Sequence, residues 1–153
     1  YINYICTKNK LGKKDLNDII FYTLEKSIKS YRQYAQKQLI MNNFDITIDQ
    51  WLILKSIKEN SGLTQQQIGI NVFKDYASVT RIIELLVKKN YLQRVAHTDK
   101  RRFILRMTSE AEDLMRSIQK VINANRRKAL DGIDEDKLMS LKETLNKIID
   151  NCS

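Results

Sequence analysis

No proline interrupts the 153 residues of this chain, and its only glycines are Gly12, Gly62, Gly69 and Gly132. A backbone with so few breakers is free to be helical over most of its length. The expected fold is therefore mainly α, and the few departures from a helical pattern carry the architectural information. One domain, or one domain with helical extensions, fits this length, because domains commonly hold roughly 100–200 residues.

From Asp15 onward, Leu16, Ile19, Ile20, Leu24, Ile28, Tyr31 and Ala35 recur at three- and four-residue steps. They predict one face of a long first helix ending near residues 41–43. Thr47 and Gln50 then form a capping box, with Ile46 and Trp51 as its hydrophobic staple, and start a second helix that runs to about Glu59. After the turn Asn60-Ser61-Gly62 the device repeats: Thr64 caps, Gln67 is its box partner and Leu63 faces Ile68, for a short helix over about Gln65 to Asn71. Asp75 is the natural N-cap of a fourth helix with Val79, Ile82, Ile83 and Leu86 on one face, and Asn90 suits its left-handed C-terminal cap.

Here the period changes. Tyr91 to Ala96 and Phe103 to Met107 alternate as strands do, joined by the basic tip His97-Thr98-Asp99-Lys100-Arg101-Arg102, which predicts a β-hairpin. A fifth helix is expected from Thr108 or Ser109, with Glu112 as box partner of Ser109, to about Leu130. Asp131-Gly132 breaks it, and Asp134 caps a sixth helix carrying Leu138, Leu141, Leu145, Ile148 and Ile149.

A short helix, a turn, a longer helix and a basic hairpin stand in the order of a winged helix-turn-helix. The chain carries +9 overall, which suggests a polyanionic partner. Between residues 74 and 106 nine basic side chains face three acidic ones, a net +6 on the elements that would meet DNA. With its core face fixed, helix four must show Tyr76, Ala77, Ser78, Thr80 and Arg81 to solvent. These side chains fit a major groove roughly 12 Å wide, where Arg81 can reach guanine or a phosphate. At the wing tip Asp99 and Arg101 are close enough for the carboxylate to orient the guanidinium toward a narrow minor groove.

The runs Ile46-Thr47-Ile48-Asp49-Gln50-Trp51-Leu52-Ile53-Leu54, Leu63-Thr64-Gln65-Gln66-Gln67-Ile68, Ser78-Val79-Thr80-Arg81-Ile82-Ile83-Glu84-Leu85-Leu86 and Asp99-Lys100-Arg101-Arg102, leading to Leu105-Arg106-Met107-Thr108, resemble the MarR (multiple antibiotic resistance) family of bacterial regulators. The resemblance spans about Asp15 to Asp150. It departs from the pattern at Ile70 to Tyr76, where helix-turn-helix proteins usually place a glycine and Phe73-Lys74 stands instead.

The resemblance implies a homodimer that binds an inverted-repeat operator in double-stranded DNA, acts as a repressor, and is released by a small aromatic or lipophilic effector. A single unit over 1–153 would then hold dimerisation helices at 15–43 and 108–150 and a winged helix-turn-helix lobe at 46–107. The expected DNA contacts are Thr64, Gln65, Lys74, Tyr76, Ser78, Thr80, Arg81, Arg94, Asp99, Lys100, Arg101 and Arg102. Trp51, Tyr22, Tyr31 and Tyr34 are aromatic candidates near the effector junction, although aromatics at helical spacing are usually core residues. A redox-sensing branch of the family uses a cysteine near the first helix, and Cys6 is its only counterpart here.

Other classes fit less well. One histidine in an expected wing, no glycine-rich phosphate loop, no nucleophile elbow and no paired carboxylates argue against an enzyme. Two cysteines at opposite ends, Cys6 and Cys152, with His97 alone, leave no set of zinc ligands, and no cofactor is expected. No apolar run approaches the roughly 18 residues of a membrane span, and the first fourteen residues lack a secretory pattern, so the expected compartment is the cytoplasm. A winged-helix module for protein or RNA contact is the remaining alternative.

Overall fold

The structure, a computed structural model, describes residues 15–96 and 103–153. A 3₁₀ turn over Leu16–Asp18 leads into α1 (Ile20–Met41), followed by α2 (Ile48–Glu59), α3 (Gln65–Val72), α4 (Tyr76–Lys88), β1 (Leu92–Ala96), β2 (Phe103–Met107), α5 (Ser109–Ala129) and α6 (Glu135–Asn151). The expected mainly α fold with a two-stranded hairpin is observed.

Helix starts follow the sequence logic. Thr47 and Thr64 each accept a hydrogen bond from the backbone N–H three residues on, at 3.1 Å and 3.2 Å, and Gln50 and Gln67 return the bond to the capping residue's N–H. Each such cap contributes about 1 kcal/mol. Three details differ. Leu16 and Ile19 lie outside α1, because Asp15 and Asp18 close their own capping box around the 3₁₀ turn and leave Ile19 extended. Helix α5 is capped by Thr108, whose hydroxyl accepts from Ala111 N, so Ser109 is its first helical residue and Glu112 closes no box. Asp134 stands at the N-cap position of α6 but makes no cap hydrogen bond, its carboxylate being taken by Lys137 at 2.7 Å.

The core is continuous from α1 to α5. Ala35 and Leu39 of α1 join Ile53, Leu54 and Ile57 of α2, Ile68 of α3, Val79, Ile83 and Leu86 of α4, and Ala111, Met115, Ile118 and Ile122 of α5. Leu92 and Leu105 anchor the hairpin to this core, and the strands pair antiparallel with Leu92 opposite Met107 and Ala96 opposite Phe103. Thr108 ties the hairpin's end to the end of α4, its hydroxyl donating to Asn90 C=O at 2.7 Å. Helix α6 buries none of its residues. Along the first half of α1 and its approach, Leu16, Ile20, Phe21 and Ile28 are also more than half exposed.

Candidate nucleic-acid interface

The turn between α3 and α4 sets how far the N-terminus of α4 projects. Gly69 lies inside α3, and a Cβ there would stand 2.8 Å from the Lys74 carbonyl oxygen, so only glycine lets the chain fold back this tightly. Lys74 N–H donates to Gly69 C=O at 2.9 Å and closes the turn. The glycine missing from Ile70 to Tyr76 is thus placed one turn earlier, and Phe73 itself adopts the left-handed conformation at φ 55°, ψ 48°. Asp75 then caps α4, accepting from Ser78 N–H at 2.8 Å and from Ser78 Oγ at 2.7 Å. These bonds, the hydroxyl's first and the backbone N–H's second, hold the Asp75 carboxyl below the usual aspartate range.

The face of α4 opposite the core shows Tyr76, Ala77 and Arg81 to solvent, with Tyr76 63% exposed. Ser78 and Thr80 are half-buried. Their hydroxyls serve the fold: Ser78 donates to Asp75, while Thr80 donates to Tyr76 C=O at 2.9 Å and lies 3.3 Å from Gln65 Oε1 on α3. Thr64 is the α3 cap. Thr64, Gln65 and Tyr76 nevertheless line one groove of about 340 Å³ with Gln66 and Phe103, which joins α3, the start of α4 and the hairpin into a single surface. On the hairpin, the Arg94 guanidinium lies over the Phe103 ring, 5.1 Å from its centroid, a cation–π contact that braces an exposed arginine. Asp99, Lys100, Arg101 and Arg102 lie outside the described residues.

Lys74 is held differently from the rest. Its amine sits 3.1 Å from one oxygen of Asp49 on α2, and Arg32 of α1 contacts the other. The sequence offered Lys74 as a DNA contact without revealing this partner, because the pair joins residues 25 positions apart. Gln66 and Phe103 were missed as members of the surface. The i, i+2 alternation of Phe103 with buried Leu105 was the signal for the latter, since it places the ring on the side that faces α3.

Among the described residues no cluster of His, Cys, Asp and Glu is arranged to hold a metal, and no helix is long and apolar enough to cross a membrane. Trp51 is buried, Tyr31 and Tyr34 are half-buried, and Tyr22 is exposed.

The comparisons with known proteins agree with this geometry. The MarR family model matches residues 46–104, from the residue before the α2 cap into β2. An uncharacterised helix-turn-helix transcriptional regulator of Bacillus subtilis, YhbI, is 26% identical over 140 residues, covering 86% of this chain and 91% of the relative. Among solved structures, the Staphylococcus aureus MepR–DNA complex superposes with a TM-score of 0.77 at 18% identity over 90% of this chain and 99% of that one. Bordetella bronchiseptica BpsR, described as regulated in its DNA binding by 6-hydroxynicotinic acid, gives 0.80 at 15% identity over 91% and 99%. A capped α2, a helix-turn-helix closed by Gly69, a hairpin wing behind it and a family model that runs from the α2 cap into β2 lead to one assignment: residues 46–104 form a winged helix-turn-helix domain of the MarR type, in a chain similar over most of its length to helix-turn-helix transcriptional regulators.

Proposed function

We propose that the chain binds an inverted-repeat operator in double-stranded DNA as a cytoplasmic homodimer and acts as a repressor released by a small lipophilic anion. The observation that carries this reading is the projecting, solvent-facing start of α4 beside a strongly basic hairpin, with Tyr76 and Arg81 exposed and a net +6 between residues 74 and 106. Helix α4 would enter the major groove while the wing tip reaches the adjoining minor groove. Of the twelve expected contacts, Tyr76, Arg81 and Arg94 are exposed for the role, Gln65 and Thr64 line a groove with Tyr76, and Ser78, Thr80 and Lys74 act first as local supports. The MepR–DNA complex, similar in fold, supports the mode of binding.

Dimerisation is supported by the uncovered apolar faces of α1 and α6. Ile20, Phe21 and Ile28 of α1, Leu16 of the 3₁₀ turn before it, and Met139 and Ile149 of α6 are each more than half exposed, and a surface of that kind calls for a partner. The dimerisation segments 15–43 and 108–150 would then flank the DNA-binding lobe at 46–107.

An effector site is supported by a groove of about 610 Å³ between α1 and α2, lined by Arg32, Gln36, Lys37 and Asp49 together with the apolar Ile40, Met41 and Ile48. Lys37 beside apolar side chains suits a carboxylate-bearing lipophile, which would compete with Asp49 for Arg32.

The test is a titration of Arg81→Ala, Arg101→Ala and Asp99→Ala on one operator and a panel of single-base changes at fixed salt. Loss of a major-groove contact by Arg81→Ala should relax one symmetric pair of positions at a cost of roughly 1–3 kcal/mol. The wing variants should instead weaken binding on A·T-rich flanks, Asp99→Ala more mildly. Wild-type affinity for both wing variants would favour a protein-binding winged helix.

A further inference from the structure

Five described residues have a backbone of positive φ, and four of them are the residue types that tolerate it, namely Asn43, Asn90, Gly62 and Gly132. The fifth is Phe73. An aromatic residue in the left-handed region is strained by the contact of its Cβ with the backbone, and such strain persists where packing or function requires the side chain. Packing does not require this one, because Phe73 is 95% exposed.

The ring stands at one end of a continuous surface. Phe73 lines a groove with Gln66, Gly69, Ile70, Lys74 and Tyr76. Gln66 and Tyr76 also line the neighbouring groove with Thr64, Gln65 and Phe103. Three exposed aromatic rings, Phe73, Tyr76 and Phe103, thus cross the front of α3 and α4, with Ile70 beside Phe73 at 68% exposure. Along α3 and α4 this front has few carboxylates: from residue 60 to residue 83 the only acidic side chain is Asp75, whose oxygens accept from Ser78, and the Asp49 carboxylate behind Lys74 is paired with Lys74 and Arg32. A surface with a single carboxylate offers a polyanion little repulsion and presents apolar rings to it.

Resting on the DNA-binding reading above, we infer that Phe73 is a specificity-determining residue that packs against a thymine methyl group at the rim of the major groove entered by α4. The 5-methyl of thymine is the apolar feature that base edges offer in that groove, and aromatic or small apolar side chains read it. Placement supports this role over base hydrogen bonding: Phe73 precedes the N-cap of α4 by two residues, beside the helix end that leads into the groove. The contact carries no charge, so it adds sequence preference without adding to the phosphate-driven affinity.

The experiment uses the full chain and a duplex that the wild-type chain selects from a random pool. Phe73→Gly and Phe73→Asn relieve the backbone strain and keep the turn, so their melting temperatures should equal or exceed that of wild type, while affinity for the selected duplex falls about tenfold with an unchanged salt slope. Replacing thymine by uracil throughout the duplex should weaken wild-type binding by a similar factor and leave Phe73→Gly unaffected. More stable variants that bind as tightly as wild type would overturn the inference and leave the DNA reading intact. A uracil penalty felt equally by Phe73→Gly would overturn the methyl contact, and an altered sedimentation coefficient with unaltered DNA affinity would make the ring an interface between copies instead. If the wild-type chain selects no duplex, both the inference and the DNA reading fail.

Discussion

Lys74 Nζ lies 3.1 Å from a carboxylate oxygen of Asp49, which ties the residue before the α4 cap to the first turn of α2. Arg32 contacts the other oxygen, so one half-exposed carboxylate joins the first helix, the second helix and the helix-turn-helix turn. A pair of this exposure is worth roughly 0.2–1 kcal/mol and is screened by salt. Asp49→Asn should therefore cost no more than about 1 kcal/mol for each pair it weakens, seen as a lower urea midpoint at 20 mM salt that approaches wild type at 1 M. A loss that salt does not reduce would mean that Asp49 acts through packing.

Gly69→Ala inverts the usual rule. In a helix interior alanine is favoured over glycine by about 1 kcal/mol, yet here the added methyl would stand 2.8 Å from a backbone oxygen. Overpacking against the main chain costs roughly 1–3 kcal/mol. The variant should lose stability in denaturant unfolding and lose duplex affinity with it, since the tilt of α4 depends on that turn. A Gly69→Ala protein at least as stable as wild type would contradict the close approach.

This turn also shows where the sequence was legible. Thr47, Thr64 and Asp75 announced three helix starts because a cap and its bonding partners lie within a few residues of each other, and the change of period at Tyr91 announced the hairpin. Side-chain engagement was less visible. Ser78 and Thr80 read as groove-facing hydroxyls, but each finds a nearer acceptor in Asp75 or Tyr76, and Lys74 finds Asp49 only through the tertiary fold. Phe73 carried no periodic signal at all, because its exposure follows from a left-handed backbone that Gly69 makes possible.

Acid should loosen the start of α4. The Ser78 hydroxyl and then its N–H favour the charged form of Asp75 and lower its pKa in the folded chain. A group shifted this way contributes stability that is fully present above the usual aspartate value, about 3.9, and is lost as pH falls through the lowered folded value. Asp75→Asn keeps a capping oxygen without the titration. Its stability profile should therefore be flatter than wild type below about pH 4, as followed by helical circular dichroism in urea. Identical acid limbs for the two proteins would rule out a contribution from this cap.

The uncovered apolar surface makes oligomeric state sensitive to the last helix. Deleting residues 134–153 removes α6, which buries nothing within its own chain, so the lobe around α2 to α5 should stay folded while the assembly dissociates and binds hydrophobic dye. Analytical ultracentrifugation at micromolar concentration reads this directly. A well-folded monomeric full-length chain would contradict the proposed dimer.

Binding of duplex DNA by the surface that α3, α4 and the hairpin build is read from the affinity of the full chain for a selected duplex as a function of salt. With a net +6 on these elements, contact with six or more phosphates per complex should lower affinity by roughly 10³-fold or more between 50 and 200 mM salt, with symmetric protection of an inverted repeat. A nearly flat salt dependence, or protection without two-fold symmetry, would contradict it.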